Sequence, residues 1–259
     1  MTPVAIAQAA EILAGARRGG AQPEALPASC RPVTLDDAHA IQGAIVRLLG
    51  ETVAGWKTGV APDGAVMRGA LVASRVFASG WHISPTLVPL LGVEAEIAFR
   101  FDRDLPRRDA AYAYEEVAEA VTALPAIEVV DSRFRRYPDA PLLDRTADFM
   151  SNGAFVAGAP QPRWREFDLA ALEATLTIDG EQRVRRTGGH TTRDPLLPCV
   201  ALVNDLRGTT GIRAGAIVTT GTFTGLNFAN AGQTVEASFT GFGSVVVRFA
   251  GEDGADAVK

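Results

Sequence analysis

Residues 93–101 constrain the fold more than any other segment, because apolar side chains alternate with other side chains along its whole length. A period of two predicts a β-strand whose successive side chains point to opposite faces. Glu94 and Glu96 stand two positions apart in this pattern, so both carboxylates project from one face of the predicted strand. Taken alone, polar residues at alternate positions are also typical of the solvent-facing side of a half-buried strand.

A third carboxylate, Glu128, stands in a second β-type segment that is mostly apolar. An ionised carboxylate in such surroundings needs a partner, because burial of an unpaired charge is costly. A cation shared with Glu94 and Glu96 is one such partner, and oxygen-only ligation is typical of Mg²⁺, Mn²⁺ or Ca²⁺ rather than Zn²⁺. A salt bridge is the alternative, since three arginines follow closely: Arg133, Arg135 and Arg136.

The composition is that of a globular protein with a full core, since 47% of the 259 residues are hydrophobic and 21% are charged. The formal net charge of -5 argues against a nucleic-acid surface, which would be basic. No apolar run reaches the length of a membrane span, and the N-terminal segment is typical of a helix rather than a signal peptide. Cys30 and Cys199 lack metal-type spacing, so we expect inert buried thiols in a cytoplasmic protein.

Two helices are predicted in an N-terminal part that covers residues 1–53. The first spans residues 3–16 and ends in a basic, glycine-rich stretch that is typical of a helix C-terminus. The second runs to Leu49 and begins after Thr34, whose spacing from Asp37 matches a capping box. Its apolar residues fall on one face, so we expect that face to pack against the rest of the protein.

Residues 54–259 are predicted to form a β-rich body. Short β-type segments alternate with Gly, Pro and Asp, and Asp179 followed by Gly180 is typical of a tight hairpin turn. Helices are predicted over residues 113–123 and 198–206, and the tail after Ala250 is expected to fray. This order predicts an α+β fold, with a small helical N-terminal part on a mostly antiparallel or mixed β body.

Other polar residues give weaker signals. Lys57 lies between two glycines, which permit a close backbone approach to a ligand, but a surface lysine is the simpler explanation of the spacing. His190 could line a site, although a solvated loop residue is again the simpler explanation. Asp148 and Ser151 stand in a stretch that is typical of a turn. The sequence contains no dinucleotide fingerprint and no nucleophile elbow.

The chain resembles the fumarylacetoacetate hydrolase superfamily over nearly its whole length. Four segments occur in the order found in that family: residues 55–59, 94–99, 125–133 and 148–158. The closer likeness is to its hydratase and decarboxylase branch. The resemblance implies a fumarylacetoacetase C-terminal-like fold, in which the helical N-terminal part lies on a mixed β-roll or barrel-like body. It also implies a homo-oligomer, and association with a related decarboxylase is a further expectation.

The resemblance implies roles for individual residues. It identifies the ligands of Mg²⁺ or Mn²⁺ as Glu94, Glu96 and Glu128. It identifies Lys57 as the active-site lysine and places Asp148 and Ser151 near the substrate-side loop. A cation beside a partly desolvated lysine is expected to lower the pKa of that lysine. The sequence departs from the family at residues 60–69, and again at residue 149, where the family commonly has Asn.

The activity implied is a metal-dependent hydratase that adds water to a 2-hydroxy-2,4-dienoate, giving a 4-hydroxy-2-oxo acid in the meta-cleavage catabolism of aromatic compounds. A 4-oxalocrotonate-type decarboxylase is the first alternative, because both reactions use a chelated 2-oxo acid. An acylpyruvate-type C–C hydrolase is the next alternative. A non-catalytic partner subunit of a hydratase–decarboxylase complex is the last, and the departures from the family leave the substrate open.

Overall fold

The computed structural model describes residues 1–61 and 63–251, so most of the tail for which fraying is expected lies outside the described residues. Five α-helices occur in these ranges: α1 (Pro3–Arg17), α2 (Leu35–Leu49), α3 (Tyr114–Ala118), α4 (Leu142–Ala147) and α5 (Leu196–Leu206). Each described helix is too short or too polar to cross a membrane. The same ranges hold thirteen strands: β1 (Val53–Val60), β2 (Val66–Val72), β3 (Val76–Ala78), β4 (His82–Ile83), β5 (Gly92–Phe101), β6 (Val121–Val130), β7 (Asn152–Ala157), β8 (Glu173–Ile178), β9 (Glu181–Thr187), β10 (Ile217–Thr222), β11 (Asn227–Phe228), β12 (Thr234–Phe239) and β13 (Gly243–Phe249).

The N-terminal helices form as the sequence predicts. The Thr34 hydroxyl accepts a hydrogen bond from the Asp37 backbone, and the Asp37 carboxylate accepts one from the Thr34 backbone in return. Gly50 ends α2 with φ of 67°, a left-handed conformation that glycine adopts without strain. The buried faces of α1 and α2 share a core with later residues: Ala70, Val72 and Phe149. The first strand begins at Val53, but a division into separate domains, 1–53 and 54–259, stays a prediction.

Two sheets make up the β body. In the described residues the larger sheet has eight strands in the order β2-β1-β10-β5-β6-β7-β3, with β11 beside β5. The smaller sheet has five strands in the order β4-β13-β12-β8-β9, and the Asp179–Gly180 turn joins β8 to β9. Most neighbours are antiparallel, whereas β1 runs parallel to β10 and β3 runs parallel to β7. This architecture confirms the predicted α+β fold with a mixed β body.

The prediction of a helix over residues 113–123 is wrong in its second half. α3 ends at Ala118 and β6 begins at Val121, because β6 pairs with β5 over the full length of both strands. These pairings outweigh the helix propensity of an alanine-rich segment. β6 even contains Pro125, whose carbonyl oxygen accepts a hydrogen bond from Gly158 beyond the last β7 pair. The missing N–H of Pro125 therefore faces the end of the β7 ladder rather than the pairing with β5.

The two faces of the larger sheet differ in chemistry. One face packs into the main hydrophobic core through alternate residues of β5 and β6: Val93, Ala95, Ile97, Ile127 and Val129. The opposite face carries the three glutamates beside a small apolar cluster: Leu71, Ala98, Leu124, Ala126 and Phe155. The carboxylates therefore stand in surroundings of low polarity. Cys30 and Cys199 are buried free thiols, as expected.

Candidate metal centre

Three carboxylates meet on one face of the larger sheet. Glu94 and Glu128 are direct cross-strand partners in the β5–β6 pair, and Glu96 follows two positions along β5. One oxygen from each residue lies within 4.8 Å of the other two. The shared face of Glu94 and Glu96 is thereby confirmed, and the strand register adds the third carboxylate.

Two of these carboxylates are sealed from solvent. Glu96 and Glu128 are 0% exposed, and Glu96 Oε1 accepts no hydrogen bond from the described residues. Glu128 Oε2 lies 2.7 Å from Lys57 Nζ in an ion pair, although the angle is poor for a hydrogen bond. Burial raises the pKa of Glu94 to about 7, and burial together with the neighbouring carboxylates raises that of Glu96 to about 8. Buried carboxylate oxygens without donors are the atoms that a cation satisfies.

Lys57 points from β1 toward the glutamates, so its interpretation as a surface lysine is wrong. Its Nζ atom lies 2.7 Å from Glu128 and 4.0 Å from Glu94, and 16% of the side chain is exposed. Burial disfavours the ammonium, but the three carboxylates outweigh burial and raise the pKa of Lys57. The expected lowering of this pKa presupposes a bound cation, so it stays a prediction.

Three neighbouring groups hold the glutamates in place. The Thr219 hydroxyl donates a hydrogen bond to Glu96, and the Gly221 backbone N–H donates another at 3.2 Å. The Asn152 side-chain amide donates to Glu128 Oε1 at 3.0 Å. The sequence did not indicate Thr219 or Asn152. A single Thr or Asn in a strand carries no pattern that shows which distant side chain it contacts.

The arginine alternative for Glu128 is wrong, because Arg133 pairs elsewhere. Its Nε lies 2.7 Å from Asp148 Oδ1 and its Nη1 lies 2.8 Å from Asp131 Oδ2. Asp148 is 0% exposed and also receives a hydrogen bond from Arg17 Nη2 at 3.1 Å. Its carboxylate is thus engaged by two guanidinium groups. This geometry favours a positioning role for Asp148 over the predicted place beside the substrate.

Ser151 ends a left-handed turn. Phe149, Met150 and Ser151 have φ of 53°, 53° and 60°, a conformation that costs about 1–2 kcal/mol per non-glycine residue. Gly69 leaves the room that this turn needs, since a Cβ there would lie 2.2 Å from the Phe149 carbonyl oxygen. Ser151 is buried, and its backbone oxygen accepts a hydrogen bond from Asp131 at 2.9 Å. A catalytic role for the Ser151 hydroxyl stays a prediction.

Two methionines stand beside Lys57 on the same face. Met67 is the cross-strand partner of Gly59, which lies two positions from Lys57 on β1. A Cβ at Gly59 would lie 4.0 Å from the methyl carbons of both Met67 and Met150. The thioether side chains, which are apolar and adaptable, therefore lie against β1 at Gly59, two positions from Lys57.

His190 is not the solvated loop residue that its position suggested. It is 4% exposed, with Nε2 2.9 Å from the Thr220 carbonyl oxygen. The Thr192 backbone N–H donates to Nδ1, so Nε2 carries the proton and donates to Thr220. Burial lowers the pKa of His190, which keeps the ring neutral. His190 thus fixes the segment whose next residue, Gly221, donates to Glu96.

The chain is similar in sequence to known proteins. The family model described as fumarylacetoacetate (FAA) hydrolase C-terminal matches residues 73–250. A 2-keto-4-pentenoate hydratase from Paraburkholderia phymatum is 36% identical over 182 residues, which are 70% of this chain and 69% of that protein.

Two solved structures share the fold. One, 4-oxalocrotonate decarboxylase from Pseudomonas putida G7 complexed with magnesium and adipate, has a TM-score of 0.82 and 22% identity, covering 96% of this chain and 98% of that chain. The other, fumarylpyruvate hydrolase from Pseudomonas aeruginosa in complex with Mn²⁺ and pyruvate, has a TM-score of 0.53 and 18% identity, covering 76% of this chain and 89% of that chain. At these identities the likeness shows the fold alone. The acidic cluster of this chain offers three carboxylate oxygens, a set of ligands that suits a divalent cation.

Proposed function

The chain belongs to the fumarylacetoacetate hydrolase family, and we propose that it is a hydratase that depends on Mg²⁺ or Mn²⁺. It adds water to a 2-hydroxy-2,4-dienoate and releases a 4-hydroxy-2-oxo acid in the meta-cleavage catabolism of aromatic compounds. The likeness to 2-keto-4-pentenoate hydratase supports this reaction. The observation that carries the proposal is the cluster of Glu94, Glu96 and Glu128 beside Lys57.

The cluster fits a divalent cation in charge and in chemistry. When all its groups are ionised, the carboxylates of Glu94, Glu96 and Glu128 exceed the charge of Lys57 by the amount that one divalent cation neutralises. The ligand atoms are oxygens, which Mg²⁺ and Mn²⁺ prefer. When bound, such a cation supplies Lewis-acid chemistry that stabilises negative charge on the oxygens of a 2-oxo acid.

Lys57 is the group of the chain that holds or moves a proton at this site. In the structure its ammonium is stabilised by Glu128 and Glu94. Once those carboxylates engage a cation, they stabilise the ammonium less, so the pKa of Lys57 falls. Nζ then either holds the substrate carboxylate or exchanges a proton with the carbon chain.

The two methionines favour hydration over decarboxylation. Met67 and Met150 place uncharged thioethers at Gly59, two positions from Lys57 on the same face of β1. A 2-hydroxypenta-2,4-dienoate ends in a vinyl group, which suits such surroundings. The substrate of a 4-oxalocrotonate-type decarboxylase ends in a second carboxylate, which would lose hydration there without a partner. The decarboxylase is therefore the second candidate.

The hydrolase and the non-catalytic alternatives have less support. For hydrolysis we expect a His–Glu pair on a lid near the N-terminal part, but His39 lies on α2, where its Nε2 accepts a hydrogen bond from the Arg68 backbone at 3.4 Å. A scaffold subunit would gain nothing from an unsatisfied carboxylate oxygen on Glu96, which destabilises a buried site. A cytoplasmic homo-oligomer, with or without a decarboxylase partner, is the assembly that we propose, and sedimentation velocity measures its size.

The test is the ultraviolet decay of 2-hydroxypenta-2,4-dienoate with purified protein and Mg²⁺, run with and without EDTA. EDTA-sensitive loss of the dienol band, with 4-hydroxy-2-oxopentanoate as product, is the expected result. Persistence of the band would rule out the hydratase, and loss of CO₂ from 4-oxalocrotonate in a parallel assay would establish the decarboxylase. Inertness toward both substrates in a protein that binds Mn²⁺ would leave the hydrolase and the scaffold.

A further inference from the structure

A polar cavity of about 280 Å³, separate from the glutamate cluster, lies between the end of α1 and the residues that follow β6. It shares no lining residue with the glutamate cluster. Its wall brings together three guanidinium groups: Arg17, Arg75 and Arg133. Asp131 is the lining carboxylate among the described residues. Its volume is close to the lower end of small-molecule pockets, about 300 Å³.

The charges in this cavity do not balance. Asp131 Oδ2 pairs with Arg133 at 2.8 Å, and its Oδ1 accepts a hydrogen bond from the Leu90 backbone at 3.1 Å. Asp148, behind the wall, is shared by Arg133 and Arg17. Arg75 has no carboxylate oxygen within 4.0 Å among the described residues, and donates only to the Leu87 carbonyl at 2.9 Å. Arg75 therefore has no carboxylate of the described residues in direct contact, and Asp131 and Glu51 attract it only from farther away.

Two of the arginines keep unused donors. The Arg17 side chain is 6% exposed, yet its Nε is a buried donor without an acceptor among the described residues. Arg75 uses a single nitrogen in hydrogen bonding. Burial and the repulsion of Arg133 lower the pKa of both Arg17, to about 9, and Arg75. Clustered guanidinium groups with spare donors are stabilised by an oxyanion, which accepts several of their hydrogen bonds at once.

We propose that this arginine cavity binds a compact dianion, of the kind shared by inorganic phosphate and short dicarboxylates. Arg75 contributes a charge that no described carboxylate contacts directly, and Arg17 contributes the donors that lie closest to the core. A monoanion would balance the excess charge. The free N–H donors of the arginines, however, suit an anion with more oxygens, either at both ends of a short chain or around a tetrahedral centre.

The cavity is connected to the glutamate cluster through one residue. The Asn152 carbonyl oxygen accepts hydrogen bonds from Arg17 Nη2 at 3.0 Å and from Arg133 Nη2 at 3.1 Å. The Asn152 amide in turn donates to Glu128 Oε1 at 3.0 Å. An anion that attracts Arg17 or Arg133 changes the hydrogen bonds that these side chains donate to the Asn152 carbonyl oxygen. The position of Asn152, and with it that of Glu128, then changes. Anion binding and cation binding are therefore expected to be coupled.

The test is calorimetric titration of the full-length protein with phosphate and, separately, with succinate, at constant ionic strength and with Mg²⁺ present. Arg75→Gln removes the charge of Arg75 without breaking an ion pair, and Arg75→Lys keeps the charge. Arg213→Gln is the matched control, since it makes the same change in net charge on a side chain that is 87% exposed. Saturable binding that Arg75→Gln weakens about tenfold, and that Arg213→Gln leaves intact, is expected.

Equal anion affinity in Arg75→Gln and Arg213→Gln would overturn the proposal, because a dianion held by the cation of the glutamate cluster would show that pattern. Failure of both anions to saturate below about 10 mM, an affinity of about 3 kcal/mol, would also overturn it. Whichever anion binds more tightly identifies the ligand class. Coupling is measured by titrating Mn²⁺ with and without the anion, and identical Mn²⁺ affinities would refute the connection through Asn152.

Discussion

Binding of a divalent cation should release protons from the glutamate cluster, and its affinity should rise steeply with pH. With a pKa of about 7, Glu94 is about half protonated at pH 7, and Glu96, with a pKa of about 8, is about nine-tenths protonated. A cation binds the ionised forms, so roughly one to two protons leave per cation at pH 7 and far fewer at pH 9. Between pH 6 and pH 9 the apparent affinity should increase about 1000-fold, or about 4 kcal/mol.

The same protons give the cation-free protein the opposite dependence on pH. Because the folded pKa of each glutamate lies above its unfolded value, the stabilisation from protonation is complete below the unfolded pKa. It is lost as the pH rises through about 7 for Glu94 and about 8 for Glu96. The melting temperature without cation should therefore fall from pH 5 to pH 8, and saturating Mg²⁺ should reverse that trend.

Calorimetry in buffers of different ionisation enthalpy measures the protons released. Glu96→Gln should reduce the number at pH 7 by about 0.9, since the amide does not titrate. Glu236 is an exposed carboxylate on β12, so Glu236→Gln should leave the number of released protons unchanged. Equal cation affinity at pH 6 and pH 9, with no proton released at pH 7, would refute the reasoning from burial.

Three further predictions concern single substitutions. Lys57→Ala should slow hydration of the dienoate about 100-fold or more, because the group that moves the proton is lost. It should also raise Mn²⁺ affinity, because the ammonium no longer competes with the cation. Turnover at the wild-type rate would contradict the role of Lys57. Thr219→Val removes the hydroxyl that donates to Glu96, a hydrogen bond worth about 1.5–3 kcal/mol. It should weaken Mn²⁺ binding about tenfold and lower the melting temperature by several degrees. Gly55→Ala places a Cβ 1.8 Å from a backbone oxygen of β10 and should destabilise the protein by at least about 3 kcal/mol in urea unfolding. In the matched variant Gly208→Ala the Cβ meets nothing within 4 Å, so a loss as large as that of Gly55→Ala would contradict the steric argument.

Errors of the sequence analysis share one cause. The helix predicted over residues 113–123 gives way to β6, because a ten-residue ladder with β5 overrides local propensity. His190, for which a solvated loop was expected, is buried because its ring bonds to Thr220 in a segment far away in the sequence. Contacts of this kind leave no local pattern from which they can be predicted.

Local chemistry determined the features that sequence reasoning predicted correctly. The period of two in Gly92–Phe101 puts Glu94 and Glu96 on one face, and the capping box of Thr34 and Asp37 starts α2 where expected. Each of these depends on residues a few positions apart, whose geometry the backbone dictates.

Only the tertiary structure decided how distant segments meet. The register of β5 and β6 sets Glu128 opposite Glu94. The parallel pairing of β1 with β10 brings Lys57 to the cluster. Both pairings join segments that lie far apart in the sequence. The same pairings place Thr219 beside Glu96 and surround Lys57 with the carboxylates that raise its pKa. Burial and charge at the site follow from these long-range pairings, because both depend on every group that packs around a side chain and not on its neighbours in the chain.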